Sequence, residues 1–392
     1  MGKFISRTIT IALILCSVCF VTYKFYDVTN VEDTSTKNVK QNNNMLSMML
    51  ETGEDSGQYE MTTSSRWPKD GYVFNTELSK CEQGSKLSWD DTNKKVVMEG
   101  NVSDKCYVYF DVYNPPKVLS DVCNGGETLS SCITELSNKS ESALTNMYYH
   151  DSKLTNGAED NSYRYAGASA DVNNYICLGS DEATCPADNL YRIIGVFGDN
   201  NHGVSGQQLV KVIKNTLIGN IAWNTAGTND WSSASLNSTL NSTFKTEKLS
   251  GFEDKIANVI WKVSGYSTSS ATAKTVYTGE ITNATKTHTA KIGLMYPSDC
   301  GYATTPDYWT TNLFYYDTTA KNKDWLFLGS SEWLLSPNSS NSSYAWYAAG
   351  IGNVYELNHV TNARAVRPSF YLLSSVSYAS GDGSQNSPIR IN

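Results

Sequence analysis

Three closely spaced cysteine pairs constrain the fold of this chain more than any other feature. The pairs are Cys81 with Cys106, Cys123 with Cys132, and Cys177 with Cys185. Cysteines paired within one local segment outside a membrane are typical of disulfides, each contributing roughly 3 kcal/mol by the loop-entropy model. A metal site is not favoured, because no C-x-x-C repeat occurs and no histidine lies beside any pair. Of the other three cysteines, Cys16 and Cys19 lie in the apolar run near the N-terminus, and Cys300 is left over. Cys300 is expected to be a neutral, exposed thiol.

The first 26 residues predict a membrane anchor. Lys3 and Arg7 precede an apolar run from Thr8 to Tyr23, and a positive flank of this kind stays on the cytoplasmic side. Flanking aromatic residues lengthen the run towards the roughly 30 Å of a bilayer core. Cleavage as a signal peptide is the alternative, although the small-x-small site expected after the run is missing. We expect a single-pass membrane protein with the bulk of the chain extracellular, or a secreted protein if the N-terminus is cleaved.

The charge balance argues against nucleic acid as a partner. The 392-residue chain has a formal net charge of −8, whereas duplex binding relies on clustered Lys and Arg that neutralise phosphates. The chain instead contains 25 tyrosines and abundant Asn, Ser and Thr. Large amphipathic rings with small hydrogen-bonding residues are typical of recognition surfaces. An AT-rich genome would raise the same residue types and is the alternative explanation.

Composition divides the chain into five predicted segments. They are a signal-anchor or transmembrane helix at 1–26, a flexible stalk at 27–66, a small β domain at 67–114, a helical connector at 115–159 and a large domain at 160–392. The stalk is polar and has little to bury. The small β domain is too short for a large core, so we expect it to depend on the Cys81–Cys106 bridge.

The large C-terminal segment predicts an α+β domain. GQQLVKVIKNTLIG is predicted to be a helix with Leu209, Val212, Ile213 and Leu217 on one face, and WSSASLNSTLNSTF a second, shorter helix. The predicted strands are NLYRIIGVF, KIGLMYPS, EWLLSP and RAVRPSFYLL, with YAWYAAGIGNVYELN forming a hairpin about residues 350–353. Early helices followed by short antiparallel strands are typical of the α+β class.

The order of several motifs resembles a known bacterial family. YRYAGASADVNNYICLGS, NLYRIIGVF, KIGLMYPSDCGYA, WLLSP and ARAVRPSFYL look like domains of unknown function (DUF6273-type) with a C-type-lectin-like fold, close to formylglycine-generating enzymes. The resemblance covers residues 160–392, and the frame from WLLSP to VRPSFYL is its most specific part. It implies a surface protein. In some related lectin-fold proteins, a retroelement diversifies adenine-rich codons on a constant scaffold.

Between the two framing motifs, the resemblance implies a displayed binding face. The scaffold residues would be Trp333, Pro337, Arg364, Arg367 and Pro368. The predicted ligand-binding residues are Asn338, Ser339, Asn341, Ser343, Tyr344, Trp346, Tyr347, Tyr355, Asn358, His359 and Asn362. Strand alternation puts Tyr344 and Trp346 on one side, so either that pair or Tyr347 is exposed. An ordinary polar loop at PNSSNSSY is the alternative to a diversified one.

Two departures from the relatives argue against catalysis and against a bound metal. Formylglycine-generating oxidases use two active-site cysteines, whereas Cys300 is the only cysteine in the corresponding region, so copper–thiolate chemistry is not expected. Calcium-dependent lectins use a carboxylate-bearing Glu-Pro-Asn or Gln-Pro-Asp loop, whereas this chain has Ser336-Pro337-Asn338. We therefore expect no catalytic residue, no metal and no cofactor.

These observations predict a membrane-anchored extracellular protein whose C-terminal lectin-like domain binds a protein or a glycan. Two alternatives stay open. A structural or pilus-like surface component would make chain-to-chain contacts and could use Cys300 as a cross-link. An enzyme on a formylglycine-generating-enzyme-like scaffold would have a deep pocket with converging polar groups instead of an aromatic face.

Overall fold

The computed structural model describes residues 46–54, 56–62, 71–90, 93–101, 103–113, 117–198, 206–316 and 318–392. They belong to two compact units that divide after residue 115. The predicted anchor at 1–26, the predicted stalk up to residue 45, and His202 lie outside the described residues. Within the described ranges, no helix combines the length and the apolar character that crossing a membrane requires.

The N-terminal unit is a small sheet with an attached hairpin. Its described strands are β1 Leu46–Glu51, β2 Tyr59–Thr62, β3 Tyr72–Cys81, β4 Lys86–Asp90, β5 Lys95–Glu99 and β6 Cys106–Val112. The sheet order is β2-β1-β6-β3, with β1 and β6 parallel, and β4 pairs with β5. Val108 and Phe110 are buried, and the rings of Phe74 and Trp89 pack against Phe110. The Cys81–Cys106 disulfide joins β3 to β6, as predicted.

The predicted stalk at 27–66 is wrong for its described part. Leu46–Glu51 pairs along its length with β6, and Tyr59–Thr62 pairs with Leu46–Glu51. The short Met/Leu cluster therefore supplies a central strand of the sheet, with Met48 buried. A strand between two neighbours needs few apolar side chains of its own, because the ladder satisfies its backbone. For this reason, the polar composition of the segment did not predict strand β1.

The C-terminal unit contains the remaining strands. They are β7 Met147–Tyr149, β8 Tyr163–Tyr165, β9 Tyr175–Cys177, β10 Leu190–Phe197, β11 Leu209–Lys214, β12 Asn220–Ala222, β13 Val259–Lys262, β14 Thr287–Ala290, β15 Ile292–Gly293, β16 Glu332–Pro337, β17 Tyr344–Ala348, β18 Val354–His359, β19 Ala363–Ala365, β20 Ser369–Leu372, β21 Tyr378–Ser380 and β22 Arg390–Ile391. One sheet has the order β15-β20-β11-β10-β8-β7, with β9 also on β10. A second sheet has the order β12-β19-β16-β17-β18. Pairs β13–β14 and β21–β22 complete the unit.

Short helices lie between these strands, so the unit is α+β, with sheets predominating. The α-helices are α1 Leu129–Lys139, α2 Ser142–Thr145, α3 Ser235–Thr239, α4 Lys245–Lys248, α5 Ala273–Tyr277, α6 Pro297–Ala303 and α7 Thr318–Lys321. Leu240–Phe244 and Thr278–Thr282 form π-helical turns. The 3₁₀ turns are Leu119–Asp121, Ala187–Asn189, Trp231–Ser233, Glu253–Lys255, Pro306–Tyr308 and Leu313–Tyr315.

The predicted connector at 115–159 belongs to the C-terminal unit instead. Helix α1 is confirmed, with Leu129, Ile133 and Leu136 buried in the large core. Strand β7 pairs with β8 and so joins the first sheet of this unit. The C-terminal domain therefore begins well before residue 160, because the apolar face of α1 needs that core to cover it.

The predicted helix in GQQLVKVIKNTLIG is wrong. Leu209–Lys214 is strand β11, and all six of its residues are buried between β10 and β20. The predicted strand KIGLMYPS is also mostly wrong, since only Ile292–Gly293 is extended and α6 begins at Pro297. A strand covered on both faces loses its alternating pattern, so period alone does not distinguish it from a helix.

Four charged side chains meet in the core beside β11; we call them the buried ion cluster (Asp160, Arg164, Lys211 and Asp299). Lys211 Nζ lies 2.5 Å from Asp299 Oδ2, and Arg164 Nη2 lies 2.7 Å from Asp160 Oδ2. Arg164 Nη1 lies 3.8 Å from the second Asp299 oxygen. Burial alone would raise the pKa of Asp299, but the two cations outweigh burial and hold that pKa below its usual range.

A buried glutamate, Glu280, lies on the π-helical turn that follows α5. Its Oε1 accepts the Ser298 backbone N–H at 2.9 Å, and its Oε2 accepts the Ser336 hydroxyl at 2.5 Å. Burial nevertheless raises the pKa of Glu280 to about 7. Because Ser336 is in β16, this carboxyl is hydrogen-bonded to the strand that leads into the predicted binding face.

The frame residues at the end of the chain anchor the second sheet to the core. Arg367 pairs with Glu332 at 2.5 Å, and both side chains are buried. Trp333, a predicted scaffold residue, is buried, and so is Trp325; their indole N–H groups donate to the carbonyls of Ile221 and Tyr165, respectively. The scaffold interpretation of Trp333 and Arg367 therefore agrees with their burial.

The other two predicted disulfides are also confirmed. Cys123 bonds to Cys132, and Cys177 bonds to Cys185. The first joins the loop after Leu119–Asp121 to α1, and the second closes the loop after β9. Cys300 is free, as predicted, but the expectation that it is exposed is wrong, because the side chain is buried in α6.

Candidate functional site

The segment between the framing motifs is a hairpin at the edge of the second sheet. Strands β17 and β18 pair antiparallel, and β18 is the outermost strand. The Ala349 N–H donates to the Asn353 carbonyl at 2.7 Å, which closes the turn. Gly352 has a φ of 107°, a conformation that residues with a Cβ rarely adopt. The predicted hairpin about residues 350–353 is therefore confirmed.

A bulge decides which side chains of the hairpin face the same way. Ala345 pairs with Asn358 and Tyr347 with Tyr355, so β18 has one more residue than β17 between the two pairs. An extra residue reverses the alternation of the strand that carries it. Asn358 and Tyr355 therefore lie on the same side as Tyr347. The Tyr347 and Tyr355 rings lie 5.9 Å apart between centroids.

Two side-chain amides hold the loop from Asn338 to Ser343, one from within the loop and one from a distant part of the chain. Asn338 is buried, and its Oδ1 accepts the N–H groups of Ser340 and Asn341, each at 2.8 Å. Asn229 Nδ2 lies within hydrogen-bond distance of three carbonyls, those of Asn338 at 2.7 Å, Asn341 at 3.0 Å and Tyr344 at 2.7 Å. Two asparagine side chains thus fix the backbone of this loop.

Asn229 was missed by sequence reasoning. It is followed by Asp230 and Trp231, and neither neighbour connects it with the predicted binding face. In the sequence, Asn229 is visible only as an amide residue before the short helical turn Trp231–Ser233. Its hydrogen-bond partners lie more than 100 positions away in the chain. Only the tertiary fold shows that this amide organises the predicted binding loop.

We predict that Asn229→Ala lowers the free energy of unfolding by about 2 kcal/mol, because the substitution leaves carbonyl groups of the loop without their donor. Ser342→Ala is the matched control, because Ser342 is exposed and only its backbone carbonyl contacts Asn229. That control is expected to stay within about 0.5 kcal/mol of the wild type. Urea unfolding measures both. Equal stability of the two variants would show that the amide does not hold the loop.

Burial separates the predicted ligand-binding residues into three groups. The exposed residues are Ser339, Asn341 and Asn362. The half-buried residues are Ser343, Tyr344, Tyr347, Tyr355 and His359. The buried residues are Asn338, Trp346 and Asn358. Asn338, Trp346 and Asn358 therefore lie beneath the face instead of being displayed on it, and of the alternatives left open for the hairpin, Tyr347 is more exposed than Trp346.

Trp346 is buried because its indole belongs to an aromatic stack under the hairpin. Its Nε1–H donates to the Tyr266 carbonyl at 2.8 Å, and its ring stacks on Tyr266 and on Phe314. Phe314 also stacks on Tyr355, with ring centroids 6.1 Å apart. The half-exposed Tyr355 is consequently backed by a rigid aromatic column. A ring held in this way loses little conformational entropy on binding.

A second aromatic pair lies near the end of the hairpin strands. Tyr344 pairs with His359 across the ladder, and the two rings meet edge to face at 5.7 Å. His359 Nδ1 lies 2.8 Å from the Thr361 hydroxyl. Asn362 Nδ2 donates to Asn358 Oδ1 at 2.8 Å. Hydroxyl, imidazole and amide groups are thus grouped near half-exposed rings.

Arg364 behaves differently from the other frame residues. It lies in β19, is half-buried, and its guanidinium lies 5.7 Å from the centre of the Tyr347 ring. The Nε–H is buried and has no hydrogen-bond partner among the described residues. No described carboxylate forms an ion pair with it. The interpretation of Arg364 as a scaffold residue is therefore not supported by any polar contact.

Cys300 is poorly placed for nucleophilic chemistry or cross-linking. Burial raises the pKa of its thiol well above the usual value, and a protonated thiol is a weak nucleophile. Its Sγ lies 3.9 Å from the Met295 sulfur. An interchain disulfide would require α6 to leave the core.

Metal-type donors come together at one place in the described part of the chain, Cys123, Glu127 and Cys132. Both sulfurs already form a disulfide, and a disulfide sulfur is not the thiolate that binds metals. The Glu127 carboxylate accepts the backbone N–H groups of Asn124 and Gly125. This group therefore stabilises the loop before α1.

Comparison with protein-family models, with curated proteins and with solved structures finds no match for this chain.

Proposed function

We propose that the chain is a membrane-anchored extracellular recognition protein. Its C-terminal unit, a C-type-lectin-like domain in this proposal, binds a protein or glycan through the recognition face, defined as residues 338–362. The observation that supports the proposal is that different residues of this face hold its backbone and line its surface. Buried amides and a buried indole fix the backbone, while half-exposed rings and exposed polar groups stay accessible to a ligand.

Such a division is typical of a surface on which side chains serve binding. Tyrosine rings supply contact area at a low entropic cost, and Ser and Asn supply adaptable hydrogen bonds. A half-exposed ring that is stacked on buried neighbours has already lost its rotamer freedom, so little more is lost when a ligand covers it. Tyr347 and Tyr355 meet this description most closely, since Phe314 backs Tyr355 and Tyr355 contacts Tyr347.

The proposal predicts that the double variant Tyr347→Ala/Tyr355→Ala loses at least tenfold in affinity for its ligand, because the central contact area is removed. The full chain is to be probed against an array of glycans and surface proteins. The matched control is Tyr149→Ala/Tyr163→Ala. This is a second partly exposed tyrosine pair in the same unit, with centroids 4.5 Å apart, and it lies outside the recognition face.

Binding that survives in the Tyr347/Tyr355 variant and is lost in the control would place the ligand elsewhere on the unit. Binding to nothing on the array, with both proteins folded by circular dichroism, would remove the support for a recognition role.

A further inference from the structure

The observation with the most specific chemical consequence is the environment of the half-buried Arg364 side chain. Its Nε–H is buried without a hydrogen-bond partner among the described residues, and a guanidinium without an acceptor in a native protein calls for an explanation. The fully buried arginines of this unit have side-chain acceptors, and two of them, Arg164 and Arg192, also lie over aromatic rings. The acceptors are Asp160 for Arg164, Asn174 for Arg192 and Glu332 for Arg367. Arg364 lies over the Tyr347 ring and has no such acceptor among the described residues.

The position of Arg364 connects it to the recognition face. Trp333 pairs with Tyr347 across β16 and β17, and β19 lies on the other side of β16. The guanidinium thus reaches across the sheet to the ring of Tyr347, whose neighbour is Tyr355. A cation without an ion pair among the described residues therefore adjoins the half-exposed ring of Tyr347, which in turn contacts Tyr355. The exposed Asn362 lies two positions earlier in the chain.

We propose that Arg364, Tyr347 and Tyr355 form a subsite for a carboxylated sugar, an inference that rests on the proposed recognition function. The guanidinium fork matches a carboxylate in two parallel hydrogen bonds. The tyrosine rings offer a flat surface for the C–H face of a pyranose. The exposed amide of Asn362 is suited to a sugar hydroxyl, since an amide both donates and accepts.

A carboxylated sugar explains these features together better than a neutral glycan or an acidic peptide. A neutral sugar offers the guanidinium hydroxyl acceptors, but it has neither the negative charge nor the paired oxygens of a carboxylate. An acidic peptide presents its carboxylates on flexible stems and has no rigid apolar ring face to place beside them. The net charge of −8 disfavours polyanions at long range, so an anionic ligand is bound only where a local cation meets it.

The test uses the full chain and matched glycan pairs, namely uronate-containing oligosaccharides and the same oligosaccharides with the carboxyl reduced to a hydroxymethyl group. Wild-type protein is expected to bind the carboxylated member at least tenfold more tightly. Arg364→Gln is expected to abolish that preference, and Arg364→Lys to retain part of it, because lysine keeps the charge and loses the fork. Lys153→Gln, an exposed cation outside the recognition face, is the charge-matched control and keeps the preference.

Competition of wild-type binding by free glucuronate, and not by glucose, supports the subsite without any variant. Equal binding to both members of each pair, unchanged in Arg364→Gln, overturns the subsite and leaves the recognition function standing. Binding to acidic proteins alone also overturns it. Binding to neither glycan nor protein removes the recognition function together with the subsite.

Discussion

Replacing Asp299 by asparagine is expected to lower the free energy of unfolding of the C-terminal unit by about 3–5 kcal/mol, because removal of one partner leaves buried charge uncompensated. Asp299 is fully buried between Lys211, at 2.5 Å, and Arg164, at 3.8 Å. Its Oδ2 also accepts the Tyr296 N–H at 2.7 Å. Asparagine preserves the shape of the side chain, so a loss of this size would be electrostatic.

Two variants separate this effect from simple disruption. Glu135→Gln breaks an exposed pair with Lys139, 2.8 Å across, and is expected to change the free energy of unfolding by less than about 0.5 kcal/mol. Lys211→Met combined with Asp299→Asn is expected to be less destabilised than the sum of the single variants, since each removes the charge that the other leaves unpaired. Urea unfolding is measured for the wild type, Glu135→Gln, the single variants Asp299→Asn and Lys211→Met, and the double variant. A loss below about 1 kcal/mol in Asp299→Asn would show that the buried ion cluster is not tightly coupled.

The same lysine explains why the sequence failed to predict β11. Lys211 and Lys214 interrupt an apolar run, and a helix with those lysines on its solvent side was the simplest interpretation. In the fold both lysines are buried, with Lys211 paired to Asp299. Since Asp299 is 88 positions away, nothing local distinguishes a lysine on a solvated helix face from one paired inside a sheet.

Prediction succeeded where local chemistry determines the structure. The hairpin at β17–β18 follows from alternating residues on either side of a glycine turn, and the three disulfides follow from short spacings. Helix α1 follows from its apolar spacing, with buried Leu129 and Ile133 on one face. These features depend on residues close to one another in the chain.

The two framing motifs in the sequence mark the ends of the recognition face. Which of its residues are exposed could not be predicted from the sequence. Trp346 is among the predicted ligand-binding residues, and strand alternation leaves open whether it or Tyr347 is exposed, whereas in the fold Tyr266 and Phe314 cover Trp346. The bulge in β18 changes which residues share a side, and a single extra residue leaves no mark in composition. The distinction between Arg364 and Arg367 depends on whether an acidic partner is nearby, which is a property of the fold.

The second large effect is a dependence of stability on pH through Glu280. Burial raises the pKa of Glu280 from its ordinary 4.5 to about 7. The folded state therefore binds a proton that the unfolded state has released between these two values. The stabilisation from this difference is fully present below pH 4.5 and is lost as the pH rises through 7. By linkage, the loss between pH 5 and pH 8 is about 2–3 kcal/mol.

The variant Glu280→Gln isolates this loss, because glutamine keeps the shape of the protonated acid and does not ionise. Its free energy of unfolding, relative to the wild type, is expected to rise by about 2–3 kcal/mol from pH 5 to pH 8. The wild-type curve alone is not diagnostic, since burial also raises the pKa of Asp324 to about 7. The difference between variant and wild type removes that contribution.

Glu127→Gln supplies the internal control for the pH measurement. Backbone N–H groups of its own loop, including those of Asn124 and Gly125, hold the pKa of Glu127 below its usual 4.5 in the folded protein, so above pH 5 this carboxyl is mostly ionised in both states. Its difference from the wild type is therefore expected to stay nearly constant between pH 5 and pH 8, while that of Glu280→Gln changes. If the differences of both variants from the wild type in free energy of unfolding stayed constant between pH 5 and pH 8, Glu280 would be ionised in the folded protein already at pH 5. The hydrogen bond from Ser336 to Glu280 would then hold β16 beneath the recognition face at every pH tested, instead of joining it to a carboxyl that titrates near neutrality.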